Sequence, residues 1–125
     1  MILLLDNYDS FTYNLVHIIR EIGYESNLDV LRNDKILLND VDKYDHILLS
    51  PGPGLPKDAG KMPSLIERYA PSKNILGVCL GHQAIAESFG GVLYNLPTVY
   101  HGIATKNILK EKDSLFDSIP DEFLV

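Results

Sequence analysis

Three short apolar runs constrain the fold more than any other feature of this chain: Ile2–Leu5, His46–Leu49 and Asn74–Val78. The first two are nearly continuous in apolar character, as expected of strands buried on both faces, and the third leads directly into a turn. The stretches between them carry helical patterns. Phe11, Leu15, Ile18, Ile19 and Ile22 recur at i, i+4, i+7, i+8 and i+11, which predicts an amphipathic helix that stops at Gly23. A weaker helix is expected over Met62–Tyr69, broken by Pro71, and a third over Leu80–Phe89, ending at Gly90-Gly91. Tyr24–Arg32 reads as a more polar strand at or near a sheet edge, and Asn33–Asp45 as a polar, acidic connection with an apolar patch at Ile36–Leu38. Strands alternating with helices predict an α/β fold, a doubly wound, mostly parallel sheet with helices on both faces. After Gly91, Val92–Tyr94, Val99–Tyr100 and Ile103–Leu109 look like short strands of a small antiparallel meander. Leu115–Ile119 suits a helical turn, and Glu122–Val125 begins a further element.

Composition excludes several function classes. A formal net charge of −6, with eleven scattered basic residues, argues against a nucleic-acid or anionic-membrane surface. The run after Met1 is stopped by Asp6, far short of a membrane span, and lacks a basic flank. A single cysteine leaves no internal disulfide framework and fits a reducing cytoplasm. His17, His46, His82, His101 and Cys79 show no paired ligand spacing, so neither a metal nor any other cofactor is expected.

In a doubly wound sheet, ligands gather at the carboxyl ends of the strands. Three polar loops should therefore share one rim: Asp6–Ser10, Ser50–Gly54 and the turn at Cys79. Cys79 lies between two glycines in Gly77-Val78-Cys79-Leu80-Gly81, a Gly-x-Cys-x-Gly skeleton. This is the thiol counterpart of the strand–turn–helix elbow that holds a nucleophilic serine, and such a turn leaves no room for side chains two residues either side of its apex. A cysteine there stands at a helix N-terminus, where free amides and the macrodipole favour a thiolate. Covalent catalysis is one reading, and a structural cysteine in an ordinary βα turn is the other.

The neighbouring residues are weighed in the same way. Ser50-Pro51-Gly52-Pro53-Gly54 cannot continue a strand. It is either a tight loop or a rigid backbone cradle in which Gly52 presents an amide to a developing oxyanion, with Leu80 as the second donor. Gln83 lies one helical turn past Cys79, where it either binds a small polar substrate or is solvated. His82 is expected to be structural, because the helix turns it away from the apex. Asp6, Asn7, Asp9 and Ser10 serve as turn and cap residues or, given the aromatics among them, as a partner-docking surface. His101-Gly102 reads as a turn first and an interface contact second.

Together, Asp6-Asn7-Tyr8-Asp9-Ser10-Phe11-Thr12, Ser50-Pro51-Gly52-Pro53-Gly54 and Gly77-Val78-Cys79-Leu80-Gly81-His82-Gln83 resemble the class I glutamine amidotransferases in order and spacing. The resemblance extends over essentially the whole chain. It is strongest to the glutaminase subunits of anthranilate synthase and para-aminobenzoate (aminodeoxychorismate) synthase. It implies a flavodoxin-like doubly wound sheet and one domain over residues 1–125, incomplete at its C-terminus. It implies that Cys79 attacks the glutamine side-chain amide, that Gly52 and Leu80 hold the oxyanion, and that Gly52, Pro53, Gly54 and Gln83 bind the substrate. Ammonia would pass to a larger chorismate-binding synthase subunit, docked near Asp6, Asn7, Asp9, Ser10 and His101, in tryptophan or folate biosynthesis. Two features depart from the family pattern. The C-terminal His-x-Glu that completes the family's triad does not occur here, and Ile103 stands where a Lys commonly follows His-Gly. The expectation is therefore a truncated domain, inactive alone, or a non-catalytic subunit that retains docking only. A third reading is a different cysteine hydrolase that uses His101 as base.

Overall fold

The apolar runs pair with one another as parallel strands. The computed structural model describes residues 1–98 and 102–125. β1 (Ile2–Asp6), β2 (Leu28–Arg32), β3 (His46–Leu49) and β4 (Asn74–Gly77) form a parallel sheet in the order β2-β1-β3-β4. The register is regular, with Leu4 opposite both Val30 and Leu48, and Leu48 opposite Leu76. The polar strand expected over Tyr24–Arg32 begins only at Leu28. A 3-10 turn at Glu25–Asn27 precedes it, and it does occupy a sheet edge.

Successive residues of a strand face opposite sides of the sheet, so β1 feeds two cores. Leu3 and Leu5 join the larger one with Ile47, Leu49, Val41, Tyr44, Met62, Leu65, Ile66, Leu80 and Ala84. The helices α2 (Met62–Tyr69) and α3 (Leu80–Ser88) cover that face. Leu4 joins the smaller core with Val16 and Ile19 of α1 (Thr12–Glu21) on the other face. Helices on both faces of a parallel sheet are the doubly wound arrangement expected from the alternation.

One expectation about α1 is corrected. The helix exists and turns at Gly23 (φ +91°), but of the predicted stripe it buries only Ile19, together with Thr12 and Val16. Phe11, Ile18 and Ile22 are 62, 54 and 64% exposed, and Leu15 is half-buried. The helix carries two apolar stripes about a quarter-turn apart, and only the narrower one meets the sheet. The expected side-chain cap also moves. The N-cap position falls on Phe11, and the Asp9 carboxylate accepts a hydrogen bond from the Phe11 amide at 2.8 Å.

Residues Tyr94–Val125 form a second unit, distinct from Met1–Leu93. Its β5 (Lys106–Ile108) and β6 (Glu122–Leu124) pair antiparallel, and a Lys106–Glu122 ion pair at 2.5 Å joins them. The carboxylate of Asp113 accepts from the Leu115 amide and caps a 3-10 turn over Ser114–Phe116, where a helical turn was expected. The strand expected at Val92–Tyr94 does not form. Val99, Tyr100 and His101 lie outside the described residues, and with them the expectations placed on His101. Among the described residues no helix is long and apolar enough to cross a membrane.

Candidate active site

The chain leaves β1 toward β2 on one side and later places β3 on the other, so the strand order reverses between β1 and β3. A crevice opens at the carboxyl ends of the strands at such a point. The loops after β1 and β3 flank it, and the turn after β4 stands beside them.

Cys79 is the apex of that last turn. Its backbone has φ +52° and ψ −110°, a conformation that costs an L-residue about 1–3 kcal/mol. Two close approaches hold it there. A Cβ on Gly81 would stand 2.5 Å from the Leu49 carbonyl oxygen, and one on Gly77 would run into the backbone of Gly81. The Val78 amide donates to the Leu49 carbonyl at 3.0 Å and the Gly81 amide to Val78 at 3.0 Å, which closes the turn. Cys79 is exposed at the apex of the elbow. Leu80 opens α3, and the first amides of a helix have no partner within it.

Gly52 lies against both other loops. A Cβ there would meet Asn7 Cβ at 2.6 Å, Leu80 Cδ2 at 2.7 Å and the Asn7 carbonyl oxygen at 2.9 Å. The structure therefore brings Gly52 and Leu80 into direct contact, with Cys79 adjoining Leu80 in the chain. Pro53 and Gly54 are exposed on the same loop, and Gly54 has φ +76°. The Gln83 amide donates to the Cys79 carbonyl at 2.9 Å, which sets Gln83 one turn along α3 from the sulfur with its side chain half-buried. His82 is exposed. Among the described residues, no three His, Cys, Asp or Glu residues converge as a metal site.

The loop after β1 departs from its expected role at two positions. Asn7 is only 2% exposed and hydrogen-bonded throughout, so its side chain cannot reach a partner. Asp6 is half-buried, and one carboxylate oxygen accepts from the Tyr8 amide and the Thr12 hydroxyl, both at 2.9 Å. These residues shape the loop from within. Asp9 is half-buried and Ser10 exposed. Tyr8, one of the aromatics that suggested docking in this loop, has φ +64° and is 49% exposed. Its hydroxyl donates to Asp34 at 2.7 Å, and the Arg32 guanidinium lies 4.7 Å from its ring centre. The hydroxyl of Tyr8, with the Lys35 ammonium second, holds the Asp34 carboxyl below the usual carboxylate range.

Known proteins resemble this chain in sequence and in fold. The family model "Glutamine amidotransferase class-I" matches residues 3–125. Anthranilate synthase component 2 of Lactococcus lactis is 47% identical, aligned with all of this chain and 62% of its own length. Anthranilate synthase component 2 of Thermus thermophilus is 52% identical over 81% of this chain and 50% of its own. Aminodeoxychorismate synthase component 2 of Escherichia coli is 43% identical, over all of this chain and 66% of its own. Among solved structures, a protein described as a GMP synthase subunit, from Thermoplasma acidophilum, superposes with a TM-score of 0.82. It is 26% identical, and the match covers 99% of this chain and 61% of that one. The chain thus spans about 60% of the length of the curated relatives it matches.

Proposed function

The chain belongs to the class I glutamine amidotransferases, and from that premise we propose that it carries the nucleophile half of a glutaminase site. The Cys79 sulfur attacks the side-chain carbonyl carbon of glutamine, and the carbonyl electron pair moves onto oxygen. The amides of Gly52 and Leu80 receive that oxyanion. Collapse expels the amide nitrogen as ammonia once it gains a proton and leaves a thioester, which water hydrolyses to glutamate. Gln83, with the backbone of Gly52, Pro53 and Gly54, orients the substrate. The observation that carries this reading is the left-handed elbow of Cys79 beside a glycine wedged against Leu80.

Departing ammonia takes its proton from a general base that has first accepted the thiol proton, and the family's C-terminal His-x-Glu does not occur in these 125 residues. We therefore propose that the 125-residue chain binds and captures glutamine analogues but does not turn glutamine over. Loss of such a base removes orders of magnitude in rate. The same observation favours a second reading, a subunit that docks without catalysing. The names of the relatives support a larger synthase that aminates chorismate as partner and consumer of ammonia. Asp9, Ser10 and His101 are the docking residues kept from the sequence reading, and a reducing cytoplasm is the proposed compartment.

Alkylation by a glutamine-derived chloroketone tests both readings. The expected result is modification of Cys79 alone, at least about ten-fold faster than by chloroacetone and slowed by free L-glutamine, a preference worth about 1.4 kcal/mol. No preference, or no competition, would leave only the docking subunit. Ammonia released above background by the purified chain would refute the dependence on a missing base.

A further inference from the structure

Asn7, Asn33 and Ser50 are polar residues at strand ends, yet they are 2, 5 and 0% exposed. Asn7 is the hub. Its backbone amide donates to Ser50 Oγ at 2.9 Å, and its Nδ2 donates to the Ser50 carbonyl at 2.9 Å and to the Met62 sulfur at 3.2 Å. Its Oδ1 accepts from Asn33 Nδ2 at 3.0 Å, which fixes which way the amide points. Ser50 in turn donates its hydroxyl to the Pro51 carbonyl at 2.7 Å. A fully satisfied buried polar network is stiff and specifies one geometry.

Asn7 acts on the loop in two ways. It tethers Ser50, two residues before Gly52, through both backbone and side chain. It is also the wall on which Gly52 rests, because only a glycine fits 2.6 Å from Asn7 Cβ. On the far side Gly52 meets Leu80. We propose that Asn7 is a positioning residue that sets the Gly52 amide at its working distance from the Leu80 amide. The inference rests on the glutaminase reading above and adds to it the residue that assembles the oxyanion donors.

The test compares two alkylations of Cys79 in the 125-residue chain. A chloroketone reacts by addition of the sulfur to its carbonyl, which places negative charge on oxygen before chloride leaves. Iodoacetamide loses iodide directly and develops no such charge. Asn7→Ala keeps the Cβ wall and the backbone tie to Ser50 Oγ, and removes the side-chain ties to the Ser50 carbonyl and to Asn33. It should slow the glutamine chloroketone about ten-fold, short of the 10²–10³ lost when a donor is deleted, and leave the iodoacetamide rate within about two-fold. Ser50→Ala, which removes one of the two ties and is small enough to be tolerated, should shift the ratio in the same direction by less. Equal slowing of both reagents, or an unchanged ratio, overturns the proposal. If Asn7→Ala does not fold, the ratio in Ser50→Ala decides. A parent chain that shows no preference for the glutamine reagent over chloroacetone fells the glutaminase reading and this one with it. A preserved preference with an unmoved ratio fells this one alone.

Discussion

Gly81 lies directly against Leu49: a Cβ at position 81 would stand 2.5 Å from the Leu49 carbonyl oxygen and 2.6 Å from its Cβ. That carbonyl also accepts the Val78 amide, so backbone cannot retreat without breaking the turn. Gly81→Ala should therefore destabilise the chain by about 1–3 kcal/mol, as overpacking does, and alter the reactivity of Cys79. Urea unfolding and iodoacetamide kinetics on the same sample check it. An unchanged midpoint would mean that the close approach is not what fixes the elbow.

Cys79 itself should be a stability liability. Its left-handed backbone costs about 1–3 kcal/mol, and glycine adopts that conformation freely at an entropic cost of about 0.5–1 kcal/mol. Cys79→Gly should raise stability by about 1 kcal/mol while abolishing alkylation, whereas Cys79→Val should lower it. A lower melting temperature for the glycine variant contradicts the strain argument.

The two stripes of α1 should respond in opposite ways. Ile19 is 7% exposed beneath the helix, so Ile19→Ala should cost about 2–5 kcal/mol. Ile18 is 54% exposed, and Ile18→Lys should stay within about 0.5 kcal/mol. A pair of denaturation curves separates them, and similar losses at both positions would reinstate the broader buried face.

Acid stability should depend on Asp29. The Tyr44 hydroxyl donates to it at 2.6 Å and the Lys43 ammonium at 3.2 Å, and these two, Tyr44 first, hold its carboxyl below the usual carboxylate range. A carboxyl depressed by folding contributes stability that is fully present above about pH 4 and is lost as pH falls through the folded value. The urea-midpoint gap between the parent and Tyr44→Phe should therefore be widest at pH 7 and narrow by pH 3. A gap that widens in acid would reverse the sign of the linkage.

The strands, the sheet edge and the elbow were legible because a doubly buried strand admits little except Ile and Leu, and a tight turn admits little except glycine. The face of α1 was not. Two apolar stripes satisfy the same helical period, and only the tertiary contact with Leu4 chooses between them. Asn7 was misread for a related reason. An Asp-Asn-Tyr-Asp-Ser loop is richer in hydrogen-bonding groups than a cap requires, and that excess signalled an internal network as well as it signalled docking. The separation of Asn7 from Ser50 and Asn33 along the chain hid their convergence. The backbone of Tyr8 gave no signal, since a tyrosine with positive φ looks like any other in sequence.

Between the greasy middle of the sheet and the crook that would cradle a reacting oxygen there is, at Asn7, a single carboxamide. Leu5 ends two residues earlier, wholly enclosed, and so any slackness introduced at Leu5 or Leu49 has almost nowhere to dissipate before it reaches Gly52. In this molecule, mutations selected for how firmly the interior holds and mutations selected for how fast the thiol reacts should turn out to be overlapping sets.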